Sequence, residues 1–184
     1  MIGHNKGPAL SGGTGWQRHC WTRARAALLP TLPIEVVRLR VRRAAELGLN
    51  YRTYASIRAA SGHDVIAFLF STNALHMVAP TADLSAGRRA RLAAIAAGRG
   101  ALVQTPLDPA QVLGRAQGLI DAAHPAPTPS ATWREARDTI HSALRQHGWP
   151  ADRVIMIGDT GLERDWVPAA ALAWYLPAEQ IFAP

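Results

Sequence analysis

Two acidic residues follow a short apolar segment near the end of the chain. Asp159 comes directly after VIMIG, which has the composition of a buried strand, and Asp165 follows after a further loop turn. In layered α/β proteins, ligands bind beyond the carboxyl ends of strands. Two carboxylates held there supply the hard oxygen ligands that Mg²⁺ prefers, while the ion keeps several of its waters. The spacing predicts a magnesium site formed by Asp159 and Asp165.

The same residues have a second interpretation as parts of a strand-to-helix turn. Asp159 or Thr160 would then cap the helix that follows. Glu163 and Asp165 would interact favourably with the positive end of its dipole. The sequence leaves both interpretations open.

Three polar residues, Ser71, Thr72 and Asn73, follow a second apolar segment, VIAFLF. Hydroxyl and amide groups at a strand end, together with backbone N–H groups, can bind a phosphate. Ser71 is also a candidate nucleophile, although it lacks the Gly-x-Ser-x-Gly turn of serine hydrolases and no spacing ties it to a histidine base. The alternative is that all three are ordinary loop and capping residues.

Positive charge is concentrated in the first third of the chain. The formal net charge is +7, and residues 1–62 carry ten lysines and arginines against two acidic residues. This asymmetry favours an anionic partner, most often nucleic acid. The segment 41–60 is similar to a helix-turn-helix unit in the positions of its apolar residues and of Gly48. The predicted nucleic-acid contacts are Arg38, Arg40, Arg42, Arg43, Arg52 and Arg58.

The alternative for this basic region is structural. An amphipathic helical hairpin would cover one face of a sheet, and its arginines would lay their aliphatic stems over apolar neighbours.

Composition favours a single globular core. The chain has 184 residues, of which 48% are hydrophobic, enough for one core but not for two separate enzyme domains. The longest apolar run is far shorter than the roughly 20 residues that span a bilayer, and the first residues lack the pattern of an export signal. The single cysteine, Cys20, excludes an internal disulfide and a thiolate metal cluster. We expect a cytoplasmic protein without a membrane partner, with Mg²⁺ as its only candidate cofactor.

The order of predicted elements defines the fold class. Strands are expected in DVIAFLFS, GRGALVQTP and VIMIGD, a further strand in AEQIFAP, and a proline-rich linker at 124–132. Helices are expected at 16–29, from Ile34 towards Gly48, and at 51–60, 84–97, 108–122 and 133–147, with a last helix after Asp159. Alternation of strands and helices predicts a small three-layer α/β fold with a mostly parallel sheet. The predicted organisation is a flexible tail at 1–15, a basic helical extension at 16–62 and the α/β domain at 63–184.

The stretch from Trp133 to Trp174 resembles the C-terminal half of haloacid dehalogenase-like hydrolases. A helix and the turn GWPADR precede an apolar strand that ends in Gly158 and Asp159, and Asp165 follows at a slightly longer spacing than is common in that family. The resemblance implies a Rossmann-like fold.

It also implies roles for two further polar groups. Thr105 in LVQTP would supply the family's small hydroxyl, and Arg134 or Arg137 would supply the cation that holds the phosphate. The family's nucleophilic aspartate, however, has no counterpart in VIAFLFSTNAL. The resemblance therefore implies a related fold with a degenerate active site, without the family's chemistry.

These observations predict a non-catalytic binding or regulatory protein that contacts an anionic macromolecule, nucleic acid in the first instance, through its arginine-rich region. One alternative is a phosphoryl or acyl hydrolase with a diverged site that uses Ser71, Thr105, Arg137 and Asp159. Another is a subunit of a larger protein assembly with tryptophans as interface anchors. The candidate anchors are Trp16, Trp21, Trp166 and Trp174.

Overall fold

The computed structural model describes residues 32–182. The sheet is parallel throughout, and its strands lie in the order β3-β2-β1-β4-β5. The strands are β1 Ala67–Ser71, β2 Gly98–Val103, β3 Ala122–Pro125, β4 Val154–Gly158 and β5 Trp174–Pro177. This order is Rossmann-like, and the predicted α/β fold with a parallel sheet is confirmed.

Helices alternate with the strands along the chain. A short 3₁₀ turn, Ala151–Arg153, leads into β4. In the described part of the chain the α-helices are α1 Ile34–Glu46, α2 Tyr51–Ser61, α3 Ala86–Ala94, α4 Pro109–Ala116, α5 Trp133–Gln146, α6 Gly161–Ala170 and α7 Ala178–Phe182.

The central strand β1 is buried along its whole length because helices cover both faces of the sheet. Phe68 and Phe70 point to one apolar cluster, whereas Ala67 and Leu69 point to the other. The first cluster contains buried residues of α1, α2, α3, α4 and α7, and the second contains those of α5 and α6. The chain therefore forms the three layers that the sequence predicts.

Helices α1 and α2 cover one face of the sheet, as the hairpin interpretation predicts. Ala44 and Ile57 belong to the same cluster as Phe68, so the apolar core continues across residue 62. The compact unit that contains the sheet begins at Arg38. The division at residue 62 stays a prediction, since it concerns whether the two parts fold independently. The predicted tail, the helix at 16–29, Trp16, Cys20 and Trp21 lie outside the described residues.

The bounds of α2 match the predicted helix because both of its ends carry local signals. Asn50 caps its first turn by accepting a hydrogen bond from the backbone N–H of Thr53 at 2.8 Å. Gly62 ends it with a left-handed φ of 75°, and its N–H bonds to the carbonyl oxygen of Arg58.

The positions of two strands, β3 and β5, differ from those predicted from the sequence. Strand β3 begins where the predicted helix 108–122 ends and includes the first residues of the predicted linker, because α4 stops early at Gln117, which has a left-handed φ of 50°. The predicted strand in AEQIFAP is wrong: Ala178–Phe182 is helical, and the strand is WYLP. Ala171, with a left-handed φ of 51°, ends α6 before that strand. Gly118, with a left-handed φ of 79°, follows the first stop, whereas no glycine follows Ala171.

The two edge strands are alike in length and in their last residue. Both β3 and β5 have four residues, and they end at Pro125 and Pro177. Proline lacks a backbone N–H and is tolerated in sheets mainly at edges.

Among the described residues, no helix combines the length and apolarity required to cross a membrane.

The indole of Trp149 packs directly on the backbone of β2. A Cβ atom at Gly98 would lie 2.5 Å from Cζ2 of Trp149, and one at Gly100 would lie 3.1 Å from Cζ3 of the same ring. Since real Cβ atoms do not approach other atoms as closely as 2.5 Å, glycine at position 98 is what admits the indole.

We expect Gly98→Ala to lower the free energy of unfolding by about 1–3 kcal/mol, because the added methyl group overpacks the sheet against the indole. Gly114→Ala is the control, since a Cβ there meets open space on α4 and alanine favours a helix. Urea unfolding followed by circular dichroism measures both variants. Equal stability of the two variants would contradict this account of Trp149.

Candidate functional site

The carboxyl ends of β1 and β4 form the crevice in which ligands bind in this type of sheet. From β1 the chain continues to β2 and β3 on one side, whereas β4 and β5 lie on the other, so the strand order reverses between β1 and β4. Ser71 is the last residue of β1 at this edge, Thr72 and Asn73 follow it, and Asp159 follows β4.

The two hydroxyl groups at the end of β1 fix the backbone. Ser71 and Thr72 are buried. The Ser71 hydroxyl accepts a hydrogen bond from the N–H of Ala74 at 3.0 Å, and the Thr72 hydroxyl accepts one from the N–H of Gln104 at 3.2 Å. In this conformation the Ser71 hydroxyl cannot contact a substrate.

Below this edge lies a fully buried carboxylate that receives four hydrogen bonds. Glu163 Oε1 accepts from the side-chain amides of Asn73 at 3.0 Å and Gln104 at 2.8 Å. Its Oε2 accepts from the backbone N–H groups of Asp159 at 2.6 Å and Thr160 at 3.0 Å. Asn73 also donates to Gln104 at 3.1 Å. We call Asn73, Gln104 and Glu163 the amide–carboxylate cluster; it joins the segments after β1, β2 and β4.

The sequence interpretation placed Glu163 in the first turn of a helix and missed these long-range contacts. Its local signal is the spacing Thr-x-x-Glu: Thr160 caps α6, and Glu163 reaches back to the N–H of Thr160, which completes a capping box. Of the two predicted candidates for the cap, the structure selects Thr160.

Glycine at position 158 makes room for the cluster. A Cβ atom there would lie 2.8 Å from Glu163 Oε2 and 3.0 Å from Cε2 of Tyr175. The glycine at the end of β4 is therefore explained by the packing of Glu163.

Asp159 stands beside the cluster and lies near His76 and Arg88. Its Oδ2 is 3.7 Å from Nε2 of His76. Burial lowers the pKa of Arg88, and the negative charge of Asp159 opposes that shift. The Arg88 guanidinium donates to the carbonyl oxygen of Ala74 at 3.1 Å and lies 4.9 Å from the ring centre of Phe182.

An open cavity of about 430 Å³ adjoins Asp159 on the side of β5. Its walls carry three carboxylates, Asp159, Asp165 and Glu179, against one guanidinium, Arg164. The Arg164 guanidinium lies 5.0 Å from the ring centre of Tyr175. Burial raises the pKa of the Tyr175 hydroxyl, and the charge of Glu163 adds to the shift. We call this space the acidic cavity; its charge disfavours an anionic ligand.

The two predicted metal ligands, Asp159 and Asp165, line the same acidic cavity. Within residues 32–182, no group of three or more His, Cys, Asp or Glu side chains is arranged to hold a metal ion. Magnesium binding by this pair of carboxylates stays a prediction.

The other predicted catalytic residues are not gathered around Asp159. Thr105 is exposed in the loop after β2, and its neighbour Gln104 provides the contact to Glu163. Arg137 is exposed on α5 and pairs with Asp138 on the same helix at 3.2 Å. Neither Thr105 nor Arg137 lines the acidic cavity.

Two of the predicted nucleic-acid contacts hold the fold together instead of facing outward. Arg43 pairs with Asp64 at 3.3 Å and also donates to the carbonyl oxygens of Val65 at 2.9 Å and Ala96 at 3.2 Å. Arg58 approaches the same Asp64 carboxylate at 3.8 Å. Both arginines are half-buried, and Asp64 links α1 and α2 to the chain that enters β1.

The remaining predicted contacts are on the outer surface. Arg38, Arg42 and Arg52 are exposed, and Arg40 is half-buried. Arg38 and Arg42 lie one helical turn apart on α1, on the side opposite the buried Ala44. Arg42 and Arg52 make no hydrogen bond or ion pair within the part of the chain that the structure describes.

The predicted tryptophan anchors that fall within the described residues are mainly internal. Trp166, on α6, is buried in the apolar cluster between the sheet and helices α5 and α6, and Trp174 is half-buried on β5.

Comparisons of the chain with protein-family models, with curated proteins and with solved structures found no match. The resemblance to haloacid dehalogenase-like hydrolases therefore stays a prediction.

We expect Glu163→Gln to lower the free energy of unfolding by about 1–3 kcal/mol, because an amide has one acceptor oxygen and cannot receive all four hydrogen bonds. Asp83→Asn makes the same chemical change at an exposed position and serves as the control. Urea unfolding of both variants measures the difference. An unchanged midpoint in Glu163→Gln would mean that the cluster contributes little to stability.

Proposed function

We propose that the protein is a non-catalytic nucleic-acid-binding protein that contacts phosphates through the outer faces of α1 and α2. The observation that carries the proposal is that Arg42 and Arg52 are exposed and unpaired among the described residues, with Arg38 on the same side of α1 as Arg42. A guanidinium that is not committed to a carboxylate is available to a phosphate, which it binds with good geometry.

The charge balance of this region also supports the proposal. Six arginines stand between residues 38 and 62, against the single acidic residue Glu46. Glu46 pairs with Arg43 at 3.0 Å, and Arg43 is one of the two arginines that hold the fold together. The proposed binding surface is therefore centred on Arg42 and Arg52, with the exposed Arg38 beside Arg42 on α1 and with Arg43 and Arg58 as structural residues.

The arrangement at the strand ends agrees with a non-catalytic role. The buried Ser71 hydroxyl bonds to the backbone, the Glu163 carboxylate is saturated with donors, and the acidic cavity would repel a phosphate ester. In this proposal the sheet is a scaffold that holds α1 and α2.

We expect the triple variant Arg38→Gln, Arg42→Gln and Arg52→Gln to bind duplex DNA or RNA more weakly than the parent at low salt. The negative slope of log K against log salt should become shallower by about 0.9 for each phosphate contact that is lost on DNA. Fluorescence anisotropy over a salt series measures both quantities.

The matched control removes the same charge elsewhere. Arg134, Arg137 and Arg145 are exposed on α5, and their replacement by glutamine should leave binding close to that of the parent. Equal loss in both triple variants would indicate a general effect of net charge, and absence of binding by the parent at low salt would reject the proposal. Binding of an acidic protein but not of nucleic acid would also reject it.

A magnesium-dependent hydrolase is the second candidate, and one observation favours it: Asp159 and Asp165 line a single cavity at the carboxyl edge of the sheet. Against it stands the segment after β1, which offers Ser71, Thr72 and Asn73 where an attacking carboxylate would be required.

We therefore expect no magnesium-dependent release of p-nitrophenol from p-nitrophenyl phosphate, because the uncatalysed barrier is very high and a nucleophile is required to lower it. Turnover by the parent that disappears both without magnesium and in Asp159→Asn would establish the hydrolase and overturn this expectation.

A further inference from the structure

Two histidines from distant parts of the chain meet on the face of the sheet that α5 covers. His124 is on the edge strand β3, and His147 follows the last residue of α5. Their Nε2 atoms are 3.2 Å apart, and the rings meet edge to face with centroids at 5.3 Å. Neither residue belongs to the strand-end site or to the basic surface.

A separation of 3.2 Å between two imidazole nitrogens is that of an N–H···N hydrogen bond between two rings. A neutral histidine carries its proton on one nitrogen and a lone pair on the other. One ring therefore donates its N–H to the lone pair of the other, and a metal ion that replaces this proton would meet a lone pair from each ring.

The separation fits a metal ion bound by both rings. Zinc binds histidine nitrogen at about 2.0–2.1 Å, and tetrahedral geometry then places two such nitrogens about 3.3–3.4 Å apart. The distance between the two Nε2 atoms is therefore already close to that between two ligands of one zinc ion.

The surrounding structure holds both rings in place. His124 is fixed by its position in the sheet, opposite Leu102 of β2. The His147 ring stacks on Trp149 with centroids 4.7 Å apart. Trp149 is itself pressed against Gly98 and Gly100, so the position of His147 follows from the packing on β2.

We propose that His124 and His147 bind a divalent transition-metal ion of the borderline class, such as Zn²⁺, Cu²⁺ or Ni²⁺. Imidazole suits these ions, whereas Mg²⁺ and Ca²⁺ prefer oxygen. In the part of the chain that is described, no third His, Cys, Asp or Glu completes the site. The open coordination positions are therefore left to water or to an external ligand, and His147 is exposed enough for exchange.

Isothermal titration calorimetry of the full chain with Zn²⁺ tests the site. We expect the parent to bind the ion, and His124→Gln and His147→Gln each to weaken binding by about tenfold or more, because each removes one of two protein ligands. His63→Gln is the control, since His63 is exposed and pairs with Asp152 instead. Circular dichroism checks that each variant is folded. If His124→Gln unfolds, His147→Gln decides the test, because His147 is exposed and its replacement leaves the core intact.

Cu²⁺ quenching of tryptophan fluorescence gives an independent measurement, because the ion would lie near the stacked Trp149. We expect quenching in the parent and in His63→Gln and reduced quenching in His147→Gln. Zinc binding that is unchanged in both ligand variants, or a parent that binds no zinc, would overturn the proposal. The contact between the rings would then be only an N–H···N hydrogen bond.

Discussion

The hydrogen bonds to the buried carboxylate of Glu163 hold together the loops at the carboxyl edge of the sheet. A charged group can stay in a protein interior only when hydrogen bonds replace its water. Here the replacements come from the ends of three strands: Asn73 after β1, Gln104 after β2 and the backbone of Asp159 after β4. Because one side chain satisfies all of these groups, the loops after the strands are fixed relative to one another. The same saturation leaves this carboxylate without a lone pair for a ligand.

The arginines of α1 and α2 divide between two tasks. Arg43 binds Asp64 and two carbonyl oxygens from other segments, which joins the helices to the sheet. Arg42, at the preceding position of the same helix, is exposed and has no partner among the described residues. The arginines on one side of α1 therefore support the fold, whereas those on its other side are the ones to which the proposed function assigns phosphate binding. Composition alone does not separate these uses, because both require the same residue type.

Local signals made most of the fold predictable. The apolar segments of β1, β2 and β4 and the capped helix α2 follow from neighbouring residues, so their prediction needs no knowledge of tertiary structure. Strands β3 and β5 were missed because the preceding helices end at Gln117 and Ala171, whose left-handed backbone is not predicted from their residue types. At the site, the position of Asp159 was predictable from its strand. The contacts of Glu163 were not, since its amide partners lie 59 and 90 residues away in the chain.

The prolines that end both edge strands limit what the sheet can join. An edge strand exposes unpaired backbone groups to which a second chain can add, and short strands with proline are a means of preventing this. Pro125 and Pro177 lack the N–H that a sixth strand would require at the carboxyl edge. Growth of the sheet by strand addition, the first step of edge-to-edge aggregation, is therefore opposed on both sides.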